Sequence, residues 1–483
     1  MSASAEEVGR LRAFVGEGFE VYPRSVQVCG GVRLGLVRGP EGKLLFLSIA
    51  VPGFSGSPHR GGLLCPLTPE NAQALVGLVP ELRPRRLPPG PSFGFGDRIG
   101  LATPGHIRAC AGARAFPVLA QQSVRENART GRTLEDVLVH AIFGAFQEGY
   151  QGGFGADADH VKEVEDALHA ADLGYTFFTC DPSDHAVAVE RLPLAEVAKR
   201  FRSLPDADRL RREYLGREFI LDKGALRFTE EDLARAAVKY SRAVAFAVEM
   251  YRALVARLPH GFDFELSVDE TETPTTPLEH LFLALELRRH DVALASLAPR
   301  FPGAMEKAVD WRGDPVHFRR ELRAHLAIAR AFGPYRLSLH SGSDKFSLYP
   351  ILAEEADGLW HVKTAGTSYL VALEVVARVA PPLFRRVVRL SLDRFPEDRK
   401  SYHLSADLRR LPVLEGRPDE RLLELLAQND ARQVLHVAFG SVLKSPLGEE
   451  LRRVLSEHEE EHYEALAQHL GRHLKLLEVK DDG

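Results

Sequence analysis

The sequence predicts an α/β fold, specifically a (β/α)8 barrel of the TIM type, from two observations. Short apolar runs alternate with helical stretches from residue 92 onward, which is typical of a parallel sheet. There are eight such runs, and eight strand–helix units favour closure into a barrel over an open, doubly wound sheet. We expect three additions to the barrel: a small β-rich segment before it, a long insertion after its fourth strand, and a helical extension after it.

The N-terminal segment, residues 1–88, contains short β-rich runs separated by Gly and Pro turns. The proline-rich stretch Arg83–Pro91 then predicts a linker, because clustered prolines join neither a helix nor a central strand. We therefore expect the barrel to occupy residues 92–411 and the helical extension residues 412–483.

Within the barrel, the helices carry recognisable start signals. Thr133 stands three residues before Asp136, which is the pattern of a capping box. Thr276 precedes Pro277, which is the pattern of an N-cap residue followed by proline at the first helical position. The insertion, residues 185–260, is long enough to predict a lid or subdomain over the barrel mouth. The eight predicted strands are Phe93–Gly96, Pro117–Ala120, Phe154–Ala156, Tyr175–Thr179, Phe262–Val268, Ala293–Leu297, Tyr335–Leu339 and Leu359–Val362.

Composition excludes several classes of function. Apolar residues make up 45% of the chain and charged residues 27%, with a net charge of −5, so there is no basic footprint for nucleic acid. No apolar run approaches the roughly 18 residues of a membrane span. The four cysteines are scattered and form no CxxC pair. We therefore expect a cytoplasmic protein whose partner is a small molecule, with assembly into a homo-oligomer left open.

Polar side chains follow each predicted strand, at the barrel end where active sites of this fold lie. One such cluster could be turn or helix-cap chemistry. Eight in succession indicate a site that binds a sugar or a metal. The clusters are Asp97-Arg98, Gln121–Ser123, Asp157–His160, Thr179–His185, Asp269–Glu272, Pro299-Arg300, His340–Lys345 and Lys363-Thr364.

Alternation within the strands identifies inward-facing groups. In the fifth strand, Glu265 alternates with apolar neighbours and should point into the barrel. A buried carboxylate is costly unless it is paired or bound to a cation. His340 should point inward at the end of the seventh strand. We therefore predict a site for a divalent metal (zinc, nickel, manganese or iron) built from His160, His340 and one or more carboxylates.

Other histidines fit this site less well. The string His458–His462 matches the HExxH pattern of zinc proteases, but it lies in a highly charged stretch that predicts a solvated helical face. We expect His106, His361 and His403 to be structural. For His185 the sequence leaves both readings open.

Eight long and unusual strings carry a family resemblance: Phe93–His106, Gln121–Asn127, Gly155–Lys162, Thr176–His185, Leu266–His280, Leu297–Phe301, Leu337–Ser347 and His361–Tyr369. In these strings the sequence resembles the tagaturonate epimerase family, whose members interconvert tagaturonate and fructuronate and whose relatives act on neutral ketohexoses such as tagatose. The resemblance implies a divalent metal, acid/base residues in the third and fifth strings, and substrate contacts from Ser123, Thr179 and His340.

The reaction that the resemblance implies inverts a carbon two bonds from the keto group, so simple enolisation does not suffice. Retro-aldol cleavage and re-addition, transient oxidation by a nicotinamide, and direct proton exchange are the routes considered. The sequence has no dinucleotide-binding motif for the second. All three routes need an acid/base pair, for which we predict Asp159 and Glu265, with Glu270 as the rival.

Further residues are predicted to contact the substrate. Arg98, Arg300, Lys345 and Lys363 are candidates for its carboxylate. The predicted substrate-binding set is Gln122, Ser123, Thr179, Glu270, Arg300, Ser341, Asp344 and Lys345.

Three other functions compete with an epimerase. A metal-dependent aldolase acting on a keto sugar or keto sugar acid needs the same groups and would release fragments. A metallohydrolase would need a metal-bound water poised for attack. A non-catalytic sugar-binding protein would tolerate loss of the inward-facing carboxylates and histidines.

Overall fold

The computed structural model describes residues 4–40, 42–222, 224–414 and 416–478. It begins with a small antiparallel sheet, which is the predicted β-rich N-terminal segment. The elements of this segment are α1 (Ala5–Val15), β1 (Glu20–Val21), β2 (Gln27–Cys29), β3 (Val32–Gly39), β4 (Gly42–Leu47), β5 (Ser57–His59), β6 (Gly62–Cys65) and α2 (Pro69–Leu78). The strand order in the sheet is β1-β3-β4-β6-β5, with β2 paired to β3.

Eight parallel strands then close into a barrel, as predicted, and each predicted strand overlaps an observed one. The elements of the first half are β7 (Ser92–Phe95), α3 (Thr103–Ala109), β8 (Phe116–Ser123), α4 (Val124–Thr130), α5 (Leu134–Gln147), β9 (Gly155–Val161), α6 (Val164–Leu173) and β10 (Phe177–Cys180).

The insertion follows β10 and leads into the second half of the barrel. Its elements are α7 (Leu194–Arg202), α8 (Ala207–Tyr214), β11 (Phe219–Ile220), β12 (Ala225–Leu226) and α9 (Glu230–Arg257). The barrel then continues with β13 (Asp263–Ser267), α10 (Pro277–Arg289), β14 (Ser296–Ala298), α11 (Pro315–Phe332), β15 (Arg336–Leu339), α12 (Tyr349–Ala356), β16 (Trp360–Thr364) and α13 (Thr367–Val379).

Local sequence accounts for the helix starts. Thr133 and Thr276 form complete capping boxes with Asp136 and Glu279. Each threonine side chain accepts from the backbone N–H of the acidic residue, and each acidic side chain accepts from the backbone N–H of the threonine. Both helices then bury apolar faces against the barrel, which fixes the positions of the strands that carry the site.

The last helix of the insertion belongs to the barrel and not to the predicted lid or subdomain. Helix α9 packs between α6 and α10 and so serves as the barrel helix that joins β10 to β13. Its buried face, which includes Leu233, Ala237 and Val244, explains this position. Among the described residues 185–260, none lines the cavity at the barrel mouth.

The C-terminal helices pack closely on the barrel. Helix α19 lies against α3, α12 and α13. The prediction of a solvated face is therefore wrong for His462, which is buried. His458 lies at the break between two helices, so the two histidines do not share one helix as the HExxH motif requires. The elements are α14 (Pro381–Asp398), α15 (Leu423–Ala427), α16 (Asn429–Val437), α17 (Phe439–Leu443), α18 (Pro446–Glu457) and α19 (Glu459–Glu478).

Across the described ranges, every helix is too short or too polar to cross a membrane. The four cysteines, Cys29, Cys65, Cys110 and Cys180, are free thiols.

Candidate active site

A cavity of about 520 Å³ opens where the barrel strands end. Its wall combines the ends of β8, β9, β15 and β16 with the loops after β13 and β14. The C-terminal part of the chain also contributes, through residues 401–403 and His436. This is the end of the barrel at which the fold places its active sites.

A β-bulge in β9 turns two consecutive side chains toward this cavity. Phe178 pairs with Ala158 and Cys180 pairs with Val161, so the single residue between them on β10 faces both Asp159 and His160. His160 adopts a left-handed backbone conformation, with φ of 53°. Regular alternation would point these neighbours to opposite faces. The bulge is what lets a carboxylate and an imidazole enter the cavity side by side.

Three side chains converge beside the bulge as possible metal ligands: His160, Asp269 and His340. His340 Nδ1 lies 3.3 Å from Asp269 Oδ1, and His160 Nε2 lies 3.7 Å from the same oxygen. A tetrahedral site with bonds of about 2.1 Å separates its donors by about 3.4 Å. The spacing therefore fits a divalent ion held by two imidazoles and one carboxylate, a donor set that suits zinc, nickel, manganese or iron.

The outward nitrogens of the two histidines support this fit. His160 Nδ1 lies 2.8 Å from Asp159 Oδ1, and His340 Nε2 lies 2.7 Å from Glu265 Oε1. A metal-binding histidine usually donates its second N–H to a carboxylate, which fixes the tautomer and turns the free nitrogen toward the ion. Asp159 and Glu265 stand in that outer position for His160 and His340.

Lys363 lies at the centre of the buried charges below the cavity. Its Nζ is 2.7 Å from Asp157 Oδ2 and 2.9 Å from both Asp159 Oδ1 and Glu265 Oε1. Thr179 donates a hydrogen bond of 2.9 Å to Asp157 Oδ1. One ammonium group thus compensates three carboxylates that would be costly to bury alone.

The pKa values reflect this network. Burial raises the pKa of Asp157 to about 7, although Lys363 opposes the shift. Burial also acts to raise the pKa of Glu265, but Lys363 and His340 outweigh it and hold that pKa well below the usual range. Burial acts to lower the pKa of Lys363, yet Asp157, Asp159 and Glu265 raise it well above its usual value. Glu265 and Lys363 are therefore charged in the folded protein at neutral pH.

The structure places four predicted substrate-binding residues on the cavity wall: Ser123, Glu270, Arg300 and Ser341. Thr179 lies just beneath it, bonded to Asp157 and Lys363. Glu270 accepts a hydrogen bond of 3.1 Å from Arg125.

Three predicted substrate-binding residues lie away from the cavity wall. Gln122 alternates to the outer face of β8, where its amide bonds to Glu126, and it is Gln121 that lines the cavity. Asp344 is buried against Arg432 and His469, at 2.8 and 2.7 Å. Lys345 points into a loop, where its Nζ donates to backbone carbonyls. These side chains hold the site in shape without facing it.

The remaining candidates are distributed as follows. Arg98 reaches the wall, but its guanidinium is bonded to Glu126 and stacked 3.8 Å over Phe439. His185 stacks on Phe246 outside the cavity. His106 is buried and bonded to Ser368, and His361 is buried and bonded to Ser92, each at 2.8 Å. His403, which was expected to be structural, instead reaches the cavity wall.

Several groups on the wall, Asp269 and Lys307 among them, were not predicted individually from the sequence. Asp269 lies four residues after Glu265 on the same face, so strand alternation contained the signal for it. Lys307 follows β14 within an irregular loop, where no periodicity applies. It donates a hydrogen bond of 2.7 Å to Ser341 Oγ.

Comparison with known proteins adds to this geometry. A family model described as tagaturonate epimerase matches residues 51–477, most of the chain. The chain belongs to the tagaturonate epimerase family. A relative from Thermotoga maritima named tagaturonate/fructuronate epimerase is 47% identical over 471 residues, covering 96% of this chain and 98% of the relative.

Solved structures of the tagaturonate epimerase family match the fold as a whole. The native crystal structure of the fructuronate-tagaturonate epimerase UxaE from Cohnella laeviribosi superposes with a TM-score of 0.93 at 37% identity, covering 99% of this chain and 100% of that one. A structure of the same protein with one glycerol bound gives the same values. The family resemblance seen in the sequence is thereby confirmed.

Proposed function

We propose that this protein is an epimerase that interconverts D-tagaturonate and D-fructuronate and depends on a divalent metal. The observation that carries the proposal is the set of His160, Asp269 and His340 at the mouth of this family's barrel, with a carboxylate behind each histidine. The relatives described above take their names from the same interconversion. A cytoplasmic location agrees with four free cysteines.

A divalent cation held by these three residues would supply Lewis-acid polarisation of a substrate oxygen. Glu265 and Asp159 would fix the two imidazoles for it, since each accepts from the outward nitrogen of one histidine. Glu265 is fully buried under the cavity. We therefore assign Glu265 to positioning His340, and Asp159 to direct contact with the substrate.

Asp159 is placed to move a proton. It lines the cavity, and its described contacts to His160 and Lys363 both use Oδ1. In a retro-aldol route Asp159 would take the proton of the hydroxyl group that is attached to the carbon to be inverted. The neighbouring C–C bond would then break, with its electrons moving toward the keto group. After the aldehyde rotates, the bond would re-form and Asp159 would return the proton.

Glu270 is the second carboxylate suited to proton transfer. It lines the cavity, and one of its oxygens lies within 4.8 Å of a ligand atom of His160. Asp181 completes a second possible ligand group with these two residues. The two ligand groups share His160 and differ in their carboxylates, so they can be separated by mutation.

An NMR time course with D-tagaturonate tests the proposal. Chelated protein should be inactive, and protein given back manganese, nickel or zinc should form D-fructuronate without fragments. Fragments without epimer would indicate the aldolase, and activity that survives complete metal removal would overturn the metal site. Asp269→Asn should abolish metal-dependent turnover, whereas the matched variant Asp181→Asn should keep it. The reverse result would assign the metal to the group formed by His160, Asp181 and Glu270.

A further inference from the structure

Lys307 differs from its neighbouring cations in the cavity. Arg125 pairs with Glu270 at 3.1 Å, Lys363 pairs with Asp159 at 2.9 Å, and Arg98 pairs with Glu126. In the portion of the chain that the structure describes, Lys307 has no such carboxylate partner. Its ammonium is bonded to the hydroxyl of Ser341, at 2.7 Å.

Arg300 is the other cation on the wall without a carboxylate partner among the described residues, but it is already engaged. Its guanidinium donates to the carbonyl of Thr271, and its backbone N–H donates to Thr275 Oγ1 at 3.0 Å. Thr275 N–H in turn donates to the Arg300 carbonyl at 2.9 Å. These bonds tie Arg300 to the loop after β13. Lys307 makes fewer hydrogen bonds to the protein than Arg300 and is therefore the better candidate to bind a ligand.

The backbone around Lys307 is held from two sides. Lys345 Nζ donates to the carbonyls of Glu306 and Val309, at 3.0 and 2.7 Å. Arg432 Nε, from α16, donates to the carbonyl of Ala308 at 2.8 Å. With its neighbours fixed on both sides, the Lys307 side chain is aimed before any ligand arrives, which lowers the entropic cost of binding one.

The partner of Lys307 is also held in an unusual conformation. Ser341 follows the possible metal ligand His340 and has a left-handed backbone, with φ of 52°. Such strain in a non-glycine residue is concentrated at functional sites. In this conformation Ser341 lies on the cavity wall beside the proposed metal ligands, and its hydroxyl is hydrogen-bonded to the Lys307 ammonium.

We propose that Lys307 and Ser341 bind the carboxylate of the sugar acid and so make the site selective for a uronate over a neutral ketose. This inference rests on the proposed function and names the group that recognises its substrate. The Lys307 ammonium is half-buried and has no carboxylate within ion-pair distance among the described residues. A substrate carboxylate would supply that partner through a charge-assisted hydrogen bond. Burial lowers the pKa of Lys307, and a bound carboxylate would oppose that shift.

Titration calorimetry on metal-loaded protein tests this assignment, after turnover of D-tagaturonate by the unmodified protein has been checked. Lys307→Met should weaken binding of the uronate about 10- to 100-fold, the loss typical of a charged hydrogen bond, and leave D-tagatose binding unchanged. Lys307→Arg should restore most of the uronate affinity. Lys400→Met removes the same charge from an exposed residue outside the cavity wall and should change neither affinity.

The outcomes separate the two proposals. Failure of the unmodified protein to convert D-tagaturonate would count against the epimerase itself. Turnover by the unmodified protein, with unchanged uronate affinity in Lys307→Met, would refute the carboxylate site. A selective loss of uronate binding in Arg300→Met instead would assign the carboxylate to Arg300. Equal loss of uronate and ketose binding in Lys307→Met would reduce Lys307 to a structural role.

Discussion

Replacing Lys363 by methionine removes the ammonium group that three buried carboxylates share. At an effective dielectric constant of about 20, two charges about 2.8 Å apart attract by about 6 kcal/mol. The carboxylates Asp157, Asp159 and Glu265 lie at 2.7, 2.9 and 2.9 Å from Lys363 Nζ. Removing one partner of a buried pair costs about 3–5 kcal/mol, and the shared position of Lys363 places the loss at the upper end.

The loss should depend on pH, because Asp157 can take up a proton. Burial already raises the pKa of Asp157 to about 7. A carboxyl whose folded pKa is raised loses stability as pH rises from its unfolded pKa, near 4, to its folded one. Without Lys363 this window extends above 7. The variant's deficit should therefore be about 2 kcal/mol larger at about pH 8.5 than at about pH 6, at about 1.4 kcal/mol per pH unit.

Urea unfolding followed by far-UV circular dichroism, on chelated protein at both pH values, measures this deficit. Lys400→Met serves as the control, because that lysine is exposed and should change the free energy of unfolding by less than about 0.5 kcal/mol. A deficit in Lys363→Met below about 1 kcal/mol, or one that is equal at both pH values, would refute the reasoning that Lys363 compensates the buried carboxylates.

Two further predictions follow from the buried carboxylates. Glu265→Gln should weaken metal binding about 10- to 100-fold, since it removes the charge behind His340, and calorimetry with zinc or manganese showing unchanged affinity would contradict that role. Asp344→Asn should lower the free energy of unfolding by about 3 kcal/mol at neutral pH, because it leaves the partly buried Arg432 without its carboxylate. Burial acts to raise the pKa of Asp344, but His469 and His473 outweigh it and hold that pKa well below its usual value. The stability that the Asp344 carboxylate contributes is therefore complete above about pH 4 and is lost as pH falls further. An Asp344→Asn deficit that stays constant down to about pH 2 in urea unfolding would contradict this.

The fold was predictable because its signals are periodic. Alternation of apolar runs with capped helices located all eight strands. Alternation also turned Glu265 inward, and Asp269 lies on the same face. What periodicity could not show was the bulge in β9, which depends on pairing with β10 and brings Asp159 and His160 to the same side.

Residues in loops were harder to assign, because their chemistry suits more than one role. Asp344 and Lys345 follow a strand end, as a substrate-binding pair would, yet their partners come from distant parts of the chain. Arg432 and His469, which bind Asp344, lie in C-terminal helices that carried no functional signal of their own. Long-range contacts of this kind leave no local pattern in a single sequence.

The hydrogen bond from Arg432 to the carbonyl of Ala308 means that the barrel is not independent of the C-terminal helices. A chain ending at residue 411 would keep all eight strands and each proposed metal ligand. It would lose Arg432, which holds the loop that aims Lys307, and His436, which forms part of the cavity wall. Grafting, truncation or exchange of this barrel between relatives should therefore carry the C-terminal helices with it, since the catalytic unit extends through them.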